Sequence, residues 1–214
     1  AACREAGCAL LGGETAEMPG VYQPGQMDLV GTIIGAVERG EIIDGRGIAP
    51  GHVLVGLPSS GLHTNGYSLV RRIFGREDMG RYADLLGRPL GEALLEPHRS
   101  YLPHVRAIRK VAEVHGLAHI TGGGFVDNIP RILPEGTAVA INRSAWEVPP
   151  LFELIERAGQ VDRDEMYRVF NMGIGMVLVC SSDDVDHLLQ QVPEAVVVGG
   201  VVPAEAGARV IIDE

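Results

Sequence analysis

Apolar and polar positions along this chain fall into two rhythms, dense short runs and stripes recurring every three to four residues. His52–Leu57 (HVLVGL), Thr137–Ile141, Gly173–Val179 (GIGMVLV), Val196–Val202 and Arg209–Ile212 are short apolar runs of the kind that form buried strands. Between them, a helix is expected from about Asn65–Tyr67 through Leu69, Val70 and Ile73. Pro97–Val114 predicts a second helix, with Tyr101, Val105, Ile108 and Ala112 on one face and Pro103 tolerable only in its first turn. Pro149–Ala158 predicts a third, with Leu151, Leu154, Ile155 and Ala158 on one face and Gly159 at the C′ position. Ser181 and Asp184 stand at capping-box spacing before a further helix.

Upstream, Ala1–Leu11 reads as the end of a helix running into a strand, as if the chain began inside a domain. Met27–Glu38 (MDLVGTIIGAVE) is rich in β-branched residues and predicts another strand. The turn-rich stretch Gly40–Gly51 divides the chain into residues 1–46 and residues 47–214. The alternation of the two rhythms implies an α/β (α+β) architecture, a mixed sheet covered by helices. No internal repeat is visible.

Composition narrows the function classes. The 214 residues carry a formal net charge of −10, which disfavours nucleic acid because phosphate-backbone binding needs clustered Lys and Arg. A small anionic ligand is still compatible, since backbone N–H groups hold phosphate locally. Cys3, Cys8 and Cys180 lack metal-type spacing and are odd in number, so a reducing, cytoplasmic setting is expected. No apolar run approaches a membrane span, so no membrane partner is expected.

Four loops gather residues able to do chemistry. In Thr121-Gly122-Gly123-Gly124-Phe125, followed by Asn128, three glycines let backbone N–H groups converge on an oxyanion, with a helix start behind them. A tight turn without a ligand reads the same residues equally simply. Ser59-Ser60-Gly61-Leu62-His63-Thr64-Asn65 follows a strand and precedes a helix, the usual place for a ligand loop. His63 there is a candidate general base, or a solvated residue beside helix caps. Gly12–Gly20 contains Glu14 and Glu17, which suit Mg²⁺ beside nucleotide phosphates or stand as exposed turn carboxylates. Met166–Gly175 contains Arg168 and Asn171, the latter placed to line a pocket as the chain enters a strand. No His/Cys metal cluster is apparent, and His115 and His119 read as ordinary surface or core histidines; the metal site, if any, is unassigned.

Taken together, GGETAEMPGVY (Gly12–Tyr22), EIIDG (Glu41–Gly45), SSGLHTNGYSLVR (Ser59–Arg71), HITGGGFVDNIPRILP (His119–Pro134) and EMYRVFNMGIGM (Glu165–Met176) resemble the aminoimidazole ribonucleotide synthetases, the phosphoribosylformylglycinamidine cyclo-ligases. The resemblance runs in order over nearly the whole chain. It implies an ATP-dependent ring closure in purine biosynthesis, in which the formamide oxygen of formylglycinamidine ribonucleotide is phosphorylated and the amidine nitrogen then displaces phosphate. It implies that residues 1–46 are the tail of an ATP-binding, dimer-forming N-terminal domain and that residues 47–214 are the C-terminal domain. His63 and Asn65 match the catalytic loop. Ser59, Ser60, Gly61, Thr121, Gly122, Gly123, Gly124 and Asn128 match substrate- or phosphate-binding positions, and Gly13, Glu14 and Thr15 match the edge of the ATP and Mg²⁺ site. The resemblance also implies a homodimer. The Gly-rich segment and DGVGTK-type motif that hold ATP in the family are absent from these residues, so this chain alone is expected to be inactive. Two alternatives stand beside this one: a non-catalytic phosphate- or nucleotide-binding module, and a related enzyme such as selenophosphate synthetase or thiamine-monophosphate kinase.

Overall fold

Six strands, β1 (Val53–Pro58), β2 (Val114–His119), β3 (Thr137–Asn142), β4 (Ile174–Cys180), β5 (Val196–Pro203) and β6 (Val210–Asp213), pair into one sheet in the order β2-β4-β1-β5-β3-β6. The computed structural model describes residues 1–205 and 207–213. All pairings are antiparallel except β3 with β6, so the sheet is mixed, as the alternating pattern predicts.

Side-chain alternation splits the core in two. On one face Leu54 of β1 and Val177 and Val179 of β4 pack with Val70, Phe152, Ile155, Tyr167 and Phe170. These come largely from helices Tyr67–Ile73, Pro150–Gly159 and Arg163–Val169. On the other face Val55, Leu57, Leu178 and Cys180 meet Ile108 and Leu188, from helices Leu102–Ile108 and Val185–Gln191. Helices thus cover both faces, and β4, flanked by β2 and β1, is buried along most of its length as a doubly covered strand must be.

The sequence pattern misplaced three features. The helix expected over 97–114 is confined to Leu102–Ile108, with Pro103 in its first turn, and Val114–His119 is a strand instead. Burial in β2 alternates along Val114, Gly116 and Ala118, and its pairing with β4 takes up N–H and C=O groups on the outer side of β4 that a helix, bonded within itself, would leave open. Second, Gly159 is the last helical residue, and Gln160 takes the left-handed cap (φ 46°). Third, Met27–Glu38 forms no paired strand among the described residues, and neither do Cys8–Leu11 after the short helix Ala2–Ala6. A β-branched run becomes a strand only when a partner takes up its N–H and C=O groups.

Chain contacts divide the molecule into two units, residues 1–42 and 43–214. In the first unit Gly7 ends helix Ala2–Ala6 in the left-handed region, Arg39–Glu41 form a 3-10 turn, and Leu29, Val30, Ile33 and Ile34 are exposed. No helix among the described residues is long and apolar enough to cross a membrane.

Candidate functional site

The strand directions bring three of the loops together. β1 and β2 both run antiparallel to β4, which lies between them, so the C-terminal ends of β1 and β2 share one edge with the start of β4. The Ser59–Asn65 loop leaves β1 there, the Thr121–Phe125 loop follows β2, and Asn171–Gly173 lead into β4. Asn65 Oδ1 lies 3.5 Å from where a Cβ on Gly122 would stand, so the first two loops adjoin.

The Ser59–Asn65 loop is tightly built. His63 (φ 49°) and Thr64 (φ 63°) both hold left-handed backbone, costly for a β-branched residue and concentrated at functional sites when it persists. Asn171, 2% exposed, fastens the loop to the sheet: its Nδ2 donates to Gly61 O (2.8 Å), and its Oδ1 accepts from Ser59 Oγ and Gly173 N (2.9 Å each). The pocket-lining role foreseen for Asn171 gives way to this bracing, because both ends of its amide are engaged. Asn171→Ala leaves Gly173 N buried and Gly61 O half-buried without partners and is expected to lower stability by about 3 kcal/mol, read by urea unfolding.

His63 is itself 2% exposed. Its Nε2 lies 3.0 Å from both Ser60 N and Ser60 Oγ, while its Nδ1 is buried with no partner. The reading of His63 as a solvated residue is therefore wrong. Burial, and after it the neighbouring His98, His119 and Arg99, push its pKa down from 6.5 to about 4, so the ring is neutral at pH 7. His98 stacks on it (centroids 3.9 Å apart, 27° between planes), and His98 Nε2 lies 2.9 Å from His119 Nε2. One nitrogen from each of these three rings falls within 4.8 Å of the others.

Sequence reading missed this grouping: it left His98 unremarked, read His119 as an ordinary surface or core histidine and saw no His/Cys metal cluster. Spacing gave no signal, because the rings arrive from three separate segments. Arg99 donates to Pro58 O (3.0 Å) and pairs with Glu194 (2.5 Å), whose carboxyl it holds below its usual range. His115, by contrast, stacks on His52 (4.4 Å) away from the group.

The glycine loop is less open than its sequence suggests. Asn128 is buried with its amide turned inward, Nδ2 donating to Gly124 O (2.7 Å) and Oδ1 accepting from Thr121 Oγ1 (3.1 Å). The helix behind the loop is only Gly124–Asn128, too short for a strong dipole. The Asp127 carboxylate also lies 2.6 Å from where a Gly123 Cβ would be. Gly122 is exposed, and nothing but Asn65 Oδ1 stands near its Cβ position. A cavity of about 150 Å³ beside Ser59, Ser60 and Gly61 is lined also by Arg88 and Leu151.

Gly13, Glu14 and Thr15 are exposed within residues 1–42, and Glu14 and Glu17 join no cluster of metal-ligating side chains among the described residues. Among the described residues the one such cluster is the histidine trio, a poor match for Mg²⁺, which prefers oxygen ligands.

A mixed sheet with both faces covered and three loops converging at one end of β2, β4 and β1 is the C-terminal domain of the AIR synthase related proteins. That family matches residues 49–212, and the chain belongs to it. Among curated relatives, phosphoribosylformylglycinamidine cyclo-ligase of Desulfitobacterium hafniense is 54% identical over 90% of this chain and 57% of its own length. The Myxococcus xanthus cyclo-ligase is 48% identical over 99% of this chain and 63% of its own. The chain thus spans about three-fifths of the curated relatives it matches. The crystal structure of thiamine-monophosphate kinase from Stenotrophomonas maltophilia shares the fold (TM-score 0.57, covering 83% of this chain and 54% of that one) at 15% identity.

Proposed function

We propose that this chain supplies the C-terminal domain of an ATP-dependent cyclo-ligase that converts formylglycinamidine ribonucleotide to 5-aminoimidazole ribonucleotide, releasing ADP and phosphate. The observation that carries the reading is the convergence of the Ser59–Asn65 and Thr121–Phe125 loops at one sheet edge, in a chain 54% identical to a cyclo-ligase. In this reading residues 1–46 belong to the ATP-binding domain, and the intact enzyme works as a cytoplasmic homodimer.

ATP supplies the phosphoryl group that turns the formamide oxygen into a leaving group; Mg²⁺ is expected with it. The chain's own contribution is to orient the amidine nitrogen and take its proton. Neutral His63 is suited to that proton because its ring keeps a lone pair at pH 7. Asn65, its Nδ2 2.6 Å from His63 O, holds the loop beside Gly122. Ser59, Ser60 and Gly61 border the small cavity, and the N–H groups of Gly122 and Gly123 face the ribonucleotide phosphate once Asp127 swings aside. Thr121, Gly124 and Asn128 shape that loop.

The experiment is phosphate release from ATP with formylglycinamidine ribonucleotide or thiamine monophosphate, using this domain joined to the upstream domain of the family. Turnover with the first alone supports the cyclo-ligase; turnover with the second alone replaces it with a kinase. Gly122→Ala adds a methyl that the fold tolerates, so stability should change by less than about 0.5 kcal/mol. Crowding the phosphate, it should raise KM for the ribonucleotide roughly tenfold, the value of one charge-assisted hydrogen bond. An unchanged KM would remove Gly122 from the site.

A further inference from the structure

The geometry points to a transition-metal site of the zinc class formed by His63, His98 and His119. This goes beyond the ring-closure reading and does not depend on it. Three imidazoles from three segments, the loop after β1, the segment before helix Leu102–Ile108 and the end of β2, bring one nitrogen each within 4.8 Å of the others. Three converging imidazoles without a carboxylate or thiolate suit Zn²⁺, Cu²⁺, Ni²⁺ or Co²⁺ and not Mg²⁺ or Ca²⁺, and leave a fourth position open.

The hydrogen bond on His98 already points its lone pair inward. His98 Nδ1 lies 2.7 Å from Arg99 O, a carbonyl that only accepts, so Nδ1 carries the proton and Nε2 is bare. That bare Nε2 faces His119 Nε2 at 2.9 Å, against a separation of about 3.3 Å for two nitrogens on one tetrahedral zinc. In the metal-free chain His119 fills the gap with its proton; with an ion bound, that proton moves to His119 Nδ1.

His63 supplies the independent sign. Its Nδ1 is a polar atom in a residue 2% exposed, and it has no partner. Across the ring, Ser60 Oγ donates to Pro97 O (2.8 Å) and so can only accept from Nε2 (3.0 Å). In the metal-free chain Nε2 accepts from Ser60 N–H (3.0 Å); a cation on Nδ1 satisfies the orphaned atom and exchanges that bond for one in which Nε2–H donates to Ser60 Oγ, the outer-shell bond that ligating histidines ordinarily make. The one guanidinium close by, Arg99, is paired with Glu194 and does not oppose a second cation alone. His98 and His119 are exposed, which lets them close on the ion and gives it a way in.

The test is titration of the purified chain with Zn²⁺ against a chromophoric chelator, and with Co²⁺ for its visible absorption. Cys3→Ser and Cys8→Ser are introduced to remove the accessible thiols. The expected result is one equivalent bound, weakened at least about tenfold by His98→Gln and by His119→Gln, unchanged by His115→Gln, and not displaced by millimolar Mg²⁺. Both test positions are exposed, and far-UV circular dichroism verifies that the variants fold. Absence of stoichiometric binding, equal binding by all variants, loss in only one of the two, or equal loss in His115→Gln would each overturn the site. Cyclo-ligase turnover is measured separately with chelator present, because an ion on His63 Nδ1 occupies the lone pair that the residue needs as a base.

Discussion

His63→Gln, in the domain joined to its ATP-binding partner, is expected to lower kcat for ring closure by about 10²–10⁴-fold, the range a positioned general base contributes. The substitution keeps an oxygen able to accept from Ser60 N, so the loop keeps its shape while the base is lost. His63→Ala should give the same loss in kcat with an added fall in stability, because it also leaves a cavity against Tyr101 and His98. A neutral ring is the form that accepts a proton, and the depressed pKa keeps it neutral down to about pH 4, so the pH profile between 5 and 8 should show no fall assignable to this residue. Near wild-type turnover in His63→Gln would reduce His63 to a structural element of the loop.

The largest effect on folding is expected at Gly124. Its φ of +56° is a conformation that side chains adopt at a cost, and a Cβ there would overlap the carbonyl oxygen of Tyr167. That oxygen belongs to helix Arg163–Val169, whose Met166 and Tyr167 are buried, so it cannot yield as a flexible side chain would. Gly124→Ala should therefore destabilise by at least about 3 kcal/mol, by backbone strain and overpacking together. For a protein of this size that is a drop in Tm of roughly 6–12 °C, measurable by calorimetry. The contrast with Gly122→Ala is the sharper test: two adjacent-looking glycines of one motif should differ by several kcal/mol, because one faces solvent and the other faces backbone. Equal stability of the two variants would show that helix Arg163–Val169 moves aside.

How much of this was legible beforehand follows from how local each determinant is. The strands His52–Leu57 and Gly173–Val179 and the helices near Tyr67 and Pro150 were readable because dense apolar runs and 3.6-residue stripes are properties of consecutive residues. The glycine and Ser-His-Asn loops were readable for the same reason, and so was the family they belong to. The strand Val114–His119 was not, because His115, Gly116 and His119 break up its apolar run; pairing with β4 makes it a strand. Nor was Asn171 as the brace of the Ser59 loop, since its partners lie 110 and 112 positions away. The inward-turned amide of Asn128, the carboxylate of Asp127 beside Gly123, and the meeting of His63, His98 and His119 are likewise set by where side chains point after the chain closes. The sequence by itself determined most of the elements, the layer architecture and the chemical inventory of the loops. The tertiary structure alone decided which members of that inventory touch, because contact between distant segments is fixed by strand order and register, and no local pattern encodes either.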